Sequence, residues 1–240
     1  DVELADGRCF TCHHLIDGTG GLHTPNVPDI EGAGAFAGEQ WHSSRWRHDV
    51  SLEGRHVAVI GSAASAVQIV PEIAGKAARV NVFQRTANYL IPRKDRAFHP
   101  IEQWCFRHIP GYGKIYRLVL FLRYDLVAYP IVKTGRKTFL RRYAMWQFRR
   151  LLHRQIKDPG MREALTPDYP IGCKRVLISD DYYPALNRNN VSLVTENIER
   201  ITPGGVRTVD GKEHRADVLV FATGFDTQGH DVENRVTGPK

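Results

Sequence analysis

A turn of small residues after a short apolar run is the first feature of this sequence that could bind a nucleotide. Residues 56–60 read HVAVI, which suits a buried parallel strand. In a dinucleotide-binding fold, three small residues make the tight turn, admit the pyrophosphate and let the helix pack, while helix N–H groups bind phosphate. Only the first of the three is glycine here, so an ordinary strand-to-helix turn is the alternative, and a left-handed backbone at Ala63 would be strained. The predicted contacts are Gly61, Ser62, Ala63, Ser65 and Ala66.

The end of the next predicted strand indicates which nucleotide would be preferred. Residues 79–84 read RVNVFQ, and Gln84, Arg85 and Thr86 stand where an NAD-binding domain carries an acidic residue for the ribose 2′-hydroxyl, about 20 residues on. A guanidinium and a hydroxyl suit a 2′-phosphate, whereas a carboxylate would repel it. The sequence therefore predicts NADPH in preference to NADH, with a solvated surface arginine at position 85 as the alternative.

A repeated pattern predicts two further strand ends at a nucleotide site. Asp6-Gly7 is followed by LIDGTG at 15–20, and Asp210-Gly211 is followed at the same spacing by LVFATG at 219–224. Each copy begins with a turn that favours a hairpin and ends in an apolar run that stops at Thr-Gly. Two unrelated hairpins are the alternative. The residues predicted to contact cofactors here are Thr19, Gly20, Thr223, Gly224, Phe225 and Asp226.

The four cysteines do not predict a haem or metal site. Residues 9–13 read CFTCH, which matches the C-x-x-C-H haem pattern, but the run leads into the first repeat's strand, and its counterpart in the second copy has no cysteine. A zinc site with His13 or His14 is not expected, because the sequence has no second C-x-x-C. Cys105 and Cys173 stand alone and are predicted to be buried or half-buried thiols, and this usage fits a reducing cytoplasm.

Length and composition indicate a globular protein. The 240 residues, 42 % hydrophobic and 25 % charged, can bury the core of one large or two smaller domains. The sequence has no run of 18 apolar residues, the nearest being 118–132, which arginine interrupts, and it starts with neither a basic nor an apolar leader. We therefore predict no membrane span and a cytoplasmic location.

The net charge of +7 is concentrated in one segment. Lysines and arginines between 133 and 157 alternate with apolar residues at near-helical spacing, which predicts a basic amphipathic helix. Nucleic acid or an anionic membrane are conceivable partners, but no recognised nucleic-acid motif accompanies it, so a solvated face that attracts an anionic cofactor is favoured. The cations are Lys133, Arg136, Lys137, Arg141, Arg142, Arg149, Arg150, Arg154 and Lys157.

One motif resembles the signature of a known enzyme family. Residues 36–46 read FAGEQWHSSRW, which places Phe36, Gly38, His42 and Trp46 at F-x-G-x-x-x-H-x-x-x-W spacing. The chain thereby resembles the flavin-dependent Baeyer–Villiger (class B) monooxygenases. The run ATGFD at 222–226 is similar to a second motif of that family. The resemblance implies FAD and NADP as cofactors, an α/β fold with parallel Rossmann-like sheets, and oxidation of a small-molecule ketone to an ester or lactone with O₂.

The resemblance also implies roles for a Lys-Arg pair and for the motif histidine. The family's arginine, here Arg175, reaches flavin and NADP, where a permanent charge stabilises the anion formed from reduced flavin and O₂. Lys174 would contact a cofactor phosphate. His42 is grouped with Arg175 at the catalytic site but assigned to conformational coupling, with Trp46 packed beside it. The alternative for Lys174 and Arg175 is that they lie in a surface turn.

The implied domain order is a remnant of an FAD-binding domain at 1–35, a linker at 36–54, an NADP-binding domain at 55–92 and 161–215, a helical insertion at 93–160 and a return to the FAD-binding domain at 216–240. Because the start lacks G-x-G-x-x-G, we expect an internal fragment. Arg47 follows Trp46 where the family usually has Pro or Asp, so an N- or S-oxidising flavin monooxygenase is an alternative function. A non-catalytic NADP-binding module is another alternative, because the first FAD-binding strand is expected to be missing.

Overall fold

The computed structural model describes residues 1–4, 6–16, 18, 20–93, 95–123, 125–126 and 139–226. The strands are β1 (Val2–Glu3), β2 (Cys9–Phe10), β3 (Glu39–His42), β4 (His56–Ile60), β5 (Arg79–Phe83), β6 (Leu90–Ile91), β7 (Leu177–Ile178), β8 (Val191–Val194), β9 (Ile198–Thr202), β10 (Gly205–Thr208), β11 (Glu213–Arg215) and β12 (Val218–Phe221). The α-helices are α1 (Ala64–Ile73), α2 (Pro100–His108), α3 (Tyr112–Arg123), α4 (Phe139–Gln155), α5 (Pro159–Ala164) and α6 (Tyr182–Leu186).

A five-stranded sheet with the order β3-β12-β4-β5-β8 organises the fold, and every neighbouring pair in it is parallel. Side chains alternate across β4, so that Val57 and Val59 face one hydrophobic core while Ala58 and Ile60 face another. Both faces of β4 are therefore buried, which explains why residues 56–60 are almost wholly apolar.

The two faces of the sheet are covered by different elements. Residues of α1, α4 and α6 share one core with Val57 and Val59, and its largest fully buried side chains include Phe148 and Tyr183. The antiparallel sheet β11-β10-β9 covers the other face, where Ile201 and Val206 pack with Leu219. The fold thus has helices, central sheet and small sheet as three layers.

The predicted helical insertion is present as α2, α3 and α4. The buried side chains of α4 are Ala144, Phe148 and Leu152, at four-residue spacing, while Arg149 and Arg150 are exposed. This is the basic amphipathic helix expected from the sequence, although Lys133, Arg136 and Lys137 lie outside the described residues. Among the described residues, no helix is long and apolar enough to cross a bilayer.

The first copy of the predicted repeat folds only in part. Its Asp-Gly turn does join a hairpin, because β1 pairs antiparallel with β2. The strand expected at 15–20 is wrong for the residues of that run that are described, since none lies in a strand and Leu15 and Ile16 are 58 % and 91 % exposed. An apolar strand is stable only with a neighbour to pair and bury it, and no described strand pairs here. Thr19 lies outside the described residues.

Two segments that the sequence assigned elsewhere contribute strands to the central sheet. The edge strand β3 lies within the predicted linker, and β12 lies within the predicted return to the FAD-binding domain. Residues 39–42 and 218–221 therefore belong to the same sheet as the predicted nucleotide-binding strands. The domain boundaries themselves stay predictions.

Candidate nucleotide-binding site

The predicted site residues meet at the carboxyl edge of the central sheet. Phe221 at the end of β12 is the register partner of both His42 and Ile60, and Ile60 is the partner of Phe83. The turn after β4, the end of β3 and the segment after β12 therefore lie side by side. In open parallel sheets, ligands bind at this edge, beside the point where the chain reverses its direction of strand addition.

Gly61 makes the tight turn and allows two chain segments to approach closely. Its φ is +112°, and a Cβ there would overlap the carbonyl oxygen of Ala222 and lie 2.9 Å from the carbonyl carbon. The Ala222 N–H also donates to the Ile60 carbonyl oxygen at 2.8 Å. Glycine is thus required by both the backbone conformation and the contact with the second Thr-Gly turn.

The start of α1 has the features of an anion site. Ala63 is the N-cap with φ −88°, so the strain considered for alanine at this position does not arise. Among the described residues no side chain caps the helix, and its first turn has no carboxylate. The first N–H groups and the positive end of the helix dipole are therefore free for a phosphate. Ala66 is fully buried, as a small residue at the helix–strand contact should be.

The Gln84-Arg85-Thr86 segment is tied to this turn. Ser62 Oγ donates to the Thr86 carbonyl oxygen at 3.3 Å, and Asn88 Nδ2 donates to the Ser62 carbonyl oxygen at 3.2 Å. Arg85 is exposed and forms no hydrogen bond or ion pair with the described part of the chain. A permanent cation without a protein partner is thus held next to the predicted phosphate turn.

The Gln84 side chain makes a contact that the sequence did not predict. Its side chain is only 5 % exposed, and its Nε2 donates to the Ala164 carbonyl oxygen at 2.7 Å. The amide nitrogen is therefore committed to holding α5 against the end of β5. Gln84 therefore positions the wall of the site, and its contact with a nucleotide stays a prediction.

An open groove of about 420 Å³ lies beside these residues, within the roughly 300–1,000 Å³ typical of ligand pockets. One wall is the segment from Gln84 to Ala87, and the other is α5 with the loop after it. Glu163 and Asp168 line the second wall. The groove therefore has positive charge at Arg85 on one wall and negative charge on the other. Gln84, Arg85 and Thr86 therefore line one wall of a groove of ligand-binding size.

His42 lies at the end of β3 with one ring nitrogen satisfied and one orphaned. The backbone N–H of Ser44 donates to His42 Nδ1 at 3.2 Å, so in the neutral ring Nε2 carries the proton. The side chain is 4 % exposed, and Nε2 has no hydrogen-bond partner among the described residues. Its ring packs edge-on against Phe225 at 5.4 Å between centroids. A buried N–H donor without an acceptor indicates that a further group completes this site.

The other motif residues have packing roles. Phe36 is buried, and a Cβ at Gly38 would overlap the Asp217 carbonyl oxygen and lie 2.7 Å from the Phe36 ring, so this glycine permits close packing. Trp46 packs edge-on against Trp41 at 5.5 Å. The described ring contacts of His42 therefore involve Phe225 and not Trp46, which corrects the predicted packing.

The Lys174-Arg175 pair is carried by a loop anchored near Arg85. Tyr89 Oη donates to the Tyr169 carbonyl oxygen at 2.6 Å, and Tyr169 Oη donates to the Ala87 carbonyl oxygen at 2.8 Å. The Lys174 ammonium lies 4.8 Å from the centre of the Tyr169 ring. Arg175 is exposed and has no hydrogen bond or ion pair within the described ranges. The two tyrosines and Asn88 are positioning residues that the sequence motifs did not reveal.

The second Thr-Gly turn is closed by a segment near the amino terminus. Pro25 bridges antiparallel to Phe225, and N–H groups of Asn26 and Asp226 donate to the carbonyl oxygens of Gly224 and Thr24, both at 2.9 Å. Thr223, Gly224, Phe225 and Asp226 therefore lie at the sheet edge as predicted. Gly20 follows no described strand, because Leu15, Ile16 and Gly18 lie in none.

The described residues present no candidate metal cluster, and the absence of haem stays a prediction. They contain no cluster of three or more His, Cys, Asp or Glu side chains able to hold a metal ion. Cys9, Cys12 and Cys173 are exposed free thiols and Cys105 is a half-buried one, so the predicted burial is confirmed for Cys105 and wrong for Cys173. Among the described residues, the site consists of a helix start, two arginines without a hydrogen-bond or ion-pair partner, and a histidine N–H without an acceptor.

Comparison with known proteins identifies the family. The model for flavin-binding monooxygenase-like proteins matches residues 13–236. The chain belongs to the flavin-binding monooxygenase-like family. A Baeyer–Villiger monooxygenase of Pseudomonas aeruginosa is 40 % identical over 223 residues, covering 92 % of this chain and 41 % of that protein. One of Streptomyces coelicolor is 40 % identical over 239 residues, covering 99 % and 45 %.

Solved structures of flavin-dependent monooxygenases share the fold of this family member. OTEMO in complex with FAD and NADP matches with a TM-score of 0.74 at 29 % identity, covering 92 % of this chain and 49 % of that one. Closed cyclohexanone monooxygenase matches with a TM-score of 0.70 at 26 % identity, covering 86 % and 45 %. The predicted α/β dinucleotide-binding flavoprotein fold is thereby confirmed. The chain spans less than half the length of these relatives.

Proposed function

We propose that the complete protein is an NADPH- and FAD-dependent monooxygenase that inserts one oxygen atom of O₂ beside the carbonyl of a ketone, and that this chain supplies its NADP-binding part. The observation that carries the proposal is that no described side chain caps the start of α1 and that Arg85, in the segment tied to this turn, has no partner among the described residues. The names of the Baeyer–Villiger relatives and the FAD and NADP in the OTEMO structure support it.

The residues present fit NADP. The first N–H groups of α1 would bind the pyrophosphate, Gly61 would let the backbone approach it, and Arg85 with Thr86 would bind the 2′-phosphate. Lys174 would add a second cation from the opposite loop. When bound, NADPH supplies a hydride and FAD the place where O₂ is activated.

His42 would couple the cofactor to the sheet. Its Nε2–H is buried and needs an acceptor, which a carbonyl of a cofactor or of the flavin-binding part would supply. Because Nδ1 is held by the Ser44 N–H, the ring is oriented and its donor is fixed in place. A change in the acceptor would therefore move the His42 ring, and with it the end of β3 and Phe225, which packs on the ring.

Arg175 would supply a fixed positive charge to the reacting atoms. Its guanidinium is permanently charged and unpaired within the described ranges, so it can stabilise negative charge that develops on the oxygen of the substrate carbonyl. The hydrogen bonds of Tyr89 and Tyr169 tie its loop to the NADP groove. One loop would in this way serve both the cofactor and the substrate.

The cofactor assignment is tested by Arg85→Ala in the complete protein. We expect NADPH binding to weaken by about 1.5–3 kcal/mol, or roughly 10- to 150-fold, and NADH binding to change little, because only NADPH has the charged hydrogen bonds to lose. Glu163→Gln should act in the opposite direction by removing a carboxylate from the groove. Arg200→Ala, at an exposed arginine in β9, is the matched control. Equal losses for both nucleotides would remove Arg85 from the 2′-phosphate site.

Oxidation at nitrogen or sulfur is the second candidate reaction. Arg47 after Trp46 keeps it open, and this arginine forms surface ion pairs with Asp49 and Glu39. Assaying the complete protein with a ketone and with a thioether separates the two reactions, since only the first yields an ester. Flavin absorbance of the purified protein tests whether it is a flavoenzyme or only an NADP-binding module. The cytoplasmic location stays a prediction.

A further inference from the structure

Helix α3 exposes an apolar stripe of the kind that helices normally bury. Ile115, Leu118, Val119 and Leu122 recur at i, i+3, i+4 and i+7 and so lie along one side of the helix. They are 64 %, 54 %, 57 % and 42 % exposed. Four neighbouring aliphatic side chains in water make an exposed patch, which marks an interaction surface.

The stripe is not needed to hold the α2–α3 hairpin together. The contact between the two helices is made by aromatic rings, with Phe106 4.9 Å from Tyr112 and 5.4 Å from Tyr116 between centroids. Phe98 joins them at 5.2 Å from Phe106. The four stripe side chains stay at least 42 % exposed beside these rings, so they are left for something outside the hairpin.

Unpaired cations accompany the stripe. The two helices contain four Lys and Arg residues, all exposed and without an ion pair in the described part of the chain, and one carboxylate. That carboxylate, Glu102, is already held by two hydrogen bonds of 2.7 Å from Arg96, which lower its pKa to about 2. The hairpin therefore presents net positive charge beside apolar surface. The four cations are Arg107, Lys114, Arg117 and Arg123.

A second exposed apolar region shows the opposite charge. Phe10, Leu15, Ile16 and Leu22 are all more than half exposed, but residues 1–27 contain four carboxylates and one arginine. The rest of a protein whose relatives are more than twice as long could cover either region. At α3, however, such a cover would desolvate unpaired cations next to the stripe, which is unfavourable without partners.

We propose that the α2–α3 hairpin docks on a membrane surface rich in anionic lipid. The apolar stripe would enter the boundary between headgroups and acyl chains while the cations contact the headgroups, as in-plane amphipathic helices do. Trp104, 55 % exposed on α2, has the amphipathic ring that favours this interface. Such docking requires no membrane-crossing helix.

The test uses the complete protein with phosphatidylcholine vesicles, with and without phosphatidylglycerol, in a co-sedimentation assay at low and high salt. We expect salt-sensitive binding to the anionic vesicles only. Leu118→Gln with Leu122→Gln should weaken it at least about ten-fold, because buried apolar surface is lost. Lys114→Gln and Arg117→Gln should each weaken it about five-fold. The controls are Val209→Gln and Arg200→Gln, an exposed valine and an exposed arginine far along the chain.

The melting temperature of the double variant distinguishes a lipid from a protein partner. Docking on lipid predicts an unchanged melting temperature and an unchanged molecular mass by light scattering. A lower melting temperature without vesicle binding would show that the rest of the chain covers the stripe, and a loss of dimers would show that a second copy does. Either result, or wild-type binding that ignores headgroup charge, overturns the proposal.

Discussion

Replacing Gly61 by alanine tests the close approach on which the site depends. The added Cβ would meet the Ala222 carbonyl group, where both contacting atoms are backbone, and the residue would have to keep a φ of +112°. The backbone conformation costs about 1–2 kcal/mol for an L-residue, and overpacking against atoms that are not free to move costs roughly 1–3 kcal/mol. We therefore expect the variant to lose about 2–5 kcal/mol of the free energy of unfolding.

Two further glycines separate these contributions. Gly224 also has a positive φ, +84°, but an added Cβ would meet nothing within 4 Å, so alanine there should cost only about 1–2 kcal/mol. Gly75 has neither a positive φ nor a contact, and its alanine variant should be neutral or more stable by about 0.4–1 kcal/mol.

Melting temperatures of the three variants of the complete protein should fall in the order Gly75→Ala, Gly224→Ala, Gly61→Ala, from highest to lowest. NADPH affinity should fall most for Gly61→Ala, because the phosphate turn and the Ala222 segment must separate. Equal melting temperatures for Gly61→Ala and Gly224→Ala would refute the contact between the two turns.

Three other variants test the site, and a fourth tests a contact at the opposite edge of the sheet. His42→Asn keeps an acceptor for the Ser44 N–H but removes the Nε2 donor, so NADPH-driven turnover should slow while the melting temperature stays nearly constant; unfolding instead would give the ring a structural role. Arg175→Ala should slow ester formation by removing about 3–4 kcal/mol of transition-state stabilisation, while stopped-flow should show that flavin reduction is intact. Ester formation at near the wild-type rate would exclude Arg175 from the mechanism. Tyr89→Phe leaves the carbonyl oxygen of Tyr169 without its donor and should cost about 1–2 kcal/mol in urea unfolding, with a raised KM for NADPH. The pKa of Asp217 is lowered chiefly by a backbone N–H at the start of β4. The ionised carboxylate therefore stabilises the fold above the ordinary carboxyl pKa, and this stabilisation is lost as pH falls through the lowered pKa. Melting temperatures of Asp217→Asn measured against pH should lack that part of the acid dependence.

Local sequence was sufficient where burial and turn conformation are encoded by neighbouring residues. The apolar run of β4, the glycine at 61 and the start of α1 follow from residues that are adjacent in the chain, and the structure has them as expected. The alternation of Ala144, Phe148 and Leu152 with arginines likewise predicted the orientation of α4. Such features depend on contacts within a few residues, which periodicity and turn chemistry describe.

Other features were decided by partners far along the chain. Nothing near Gly61 indicates that Ala222 will lie against it, and nothing near Gln84 indicates that its amide will hold α5. The run at 15–20 has the pattern of a strand but no described strand to pair with, whereas residues 39–42 gain strand structure from β12. Strand pairing needs hydrogen-bond donors and acceptors from another segment. A sequence therefore specifies which segments can pair, and only the tertiary structure decides which of them do.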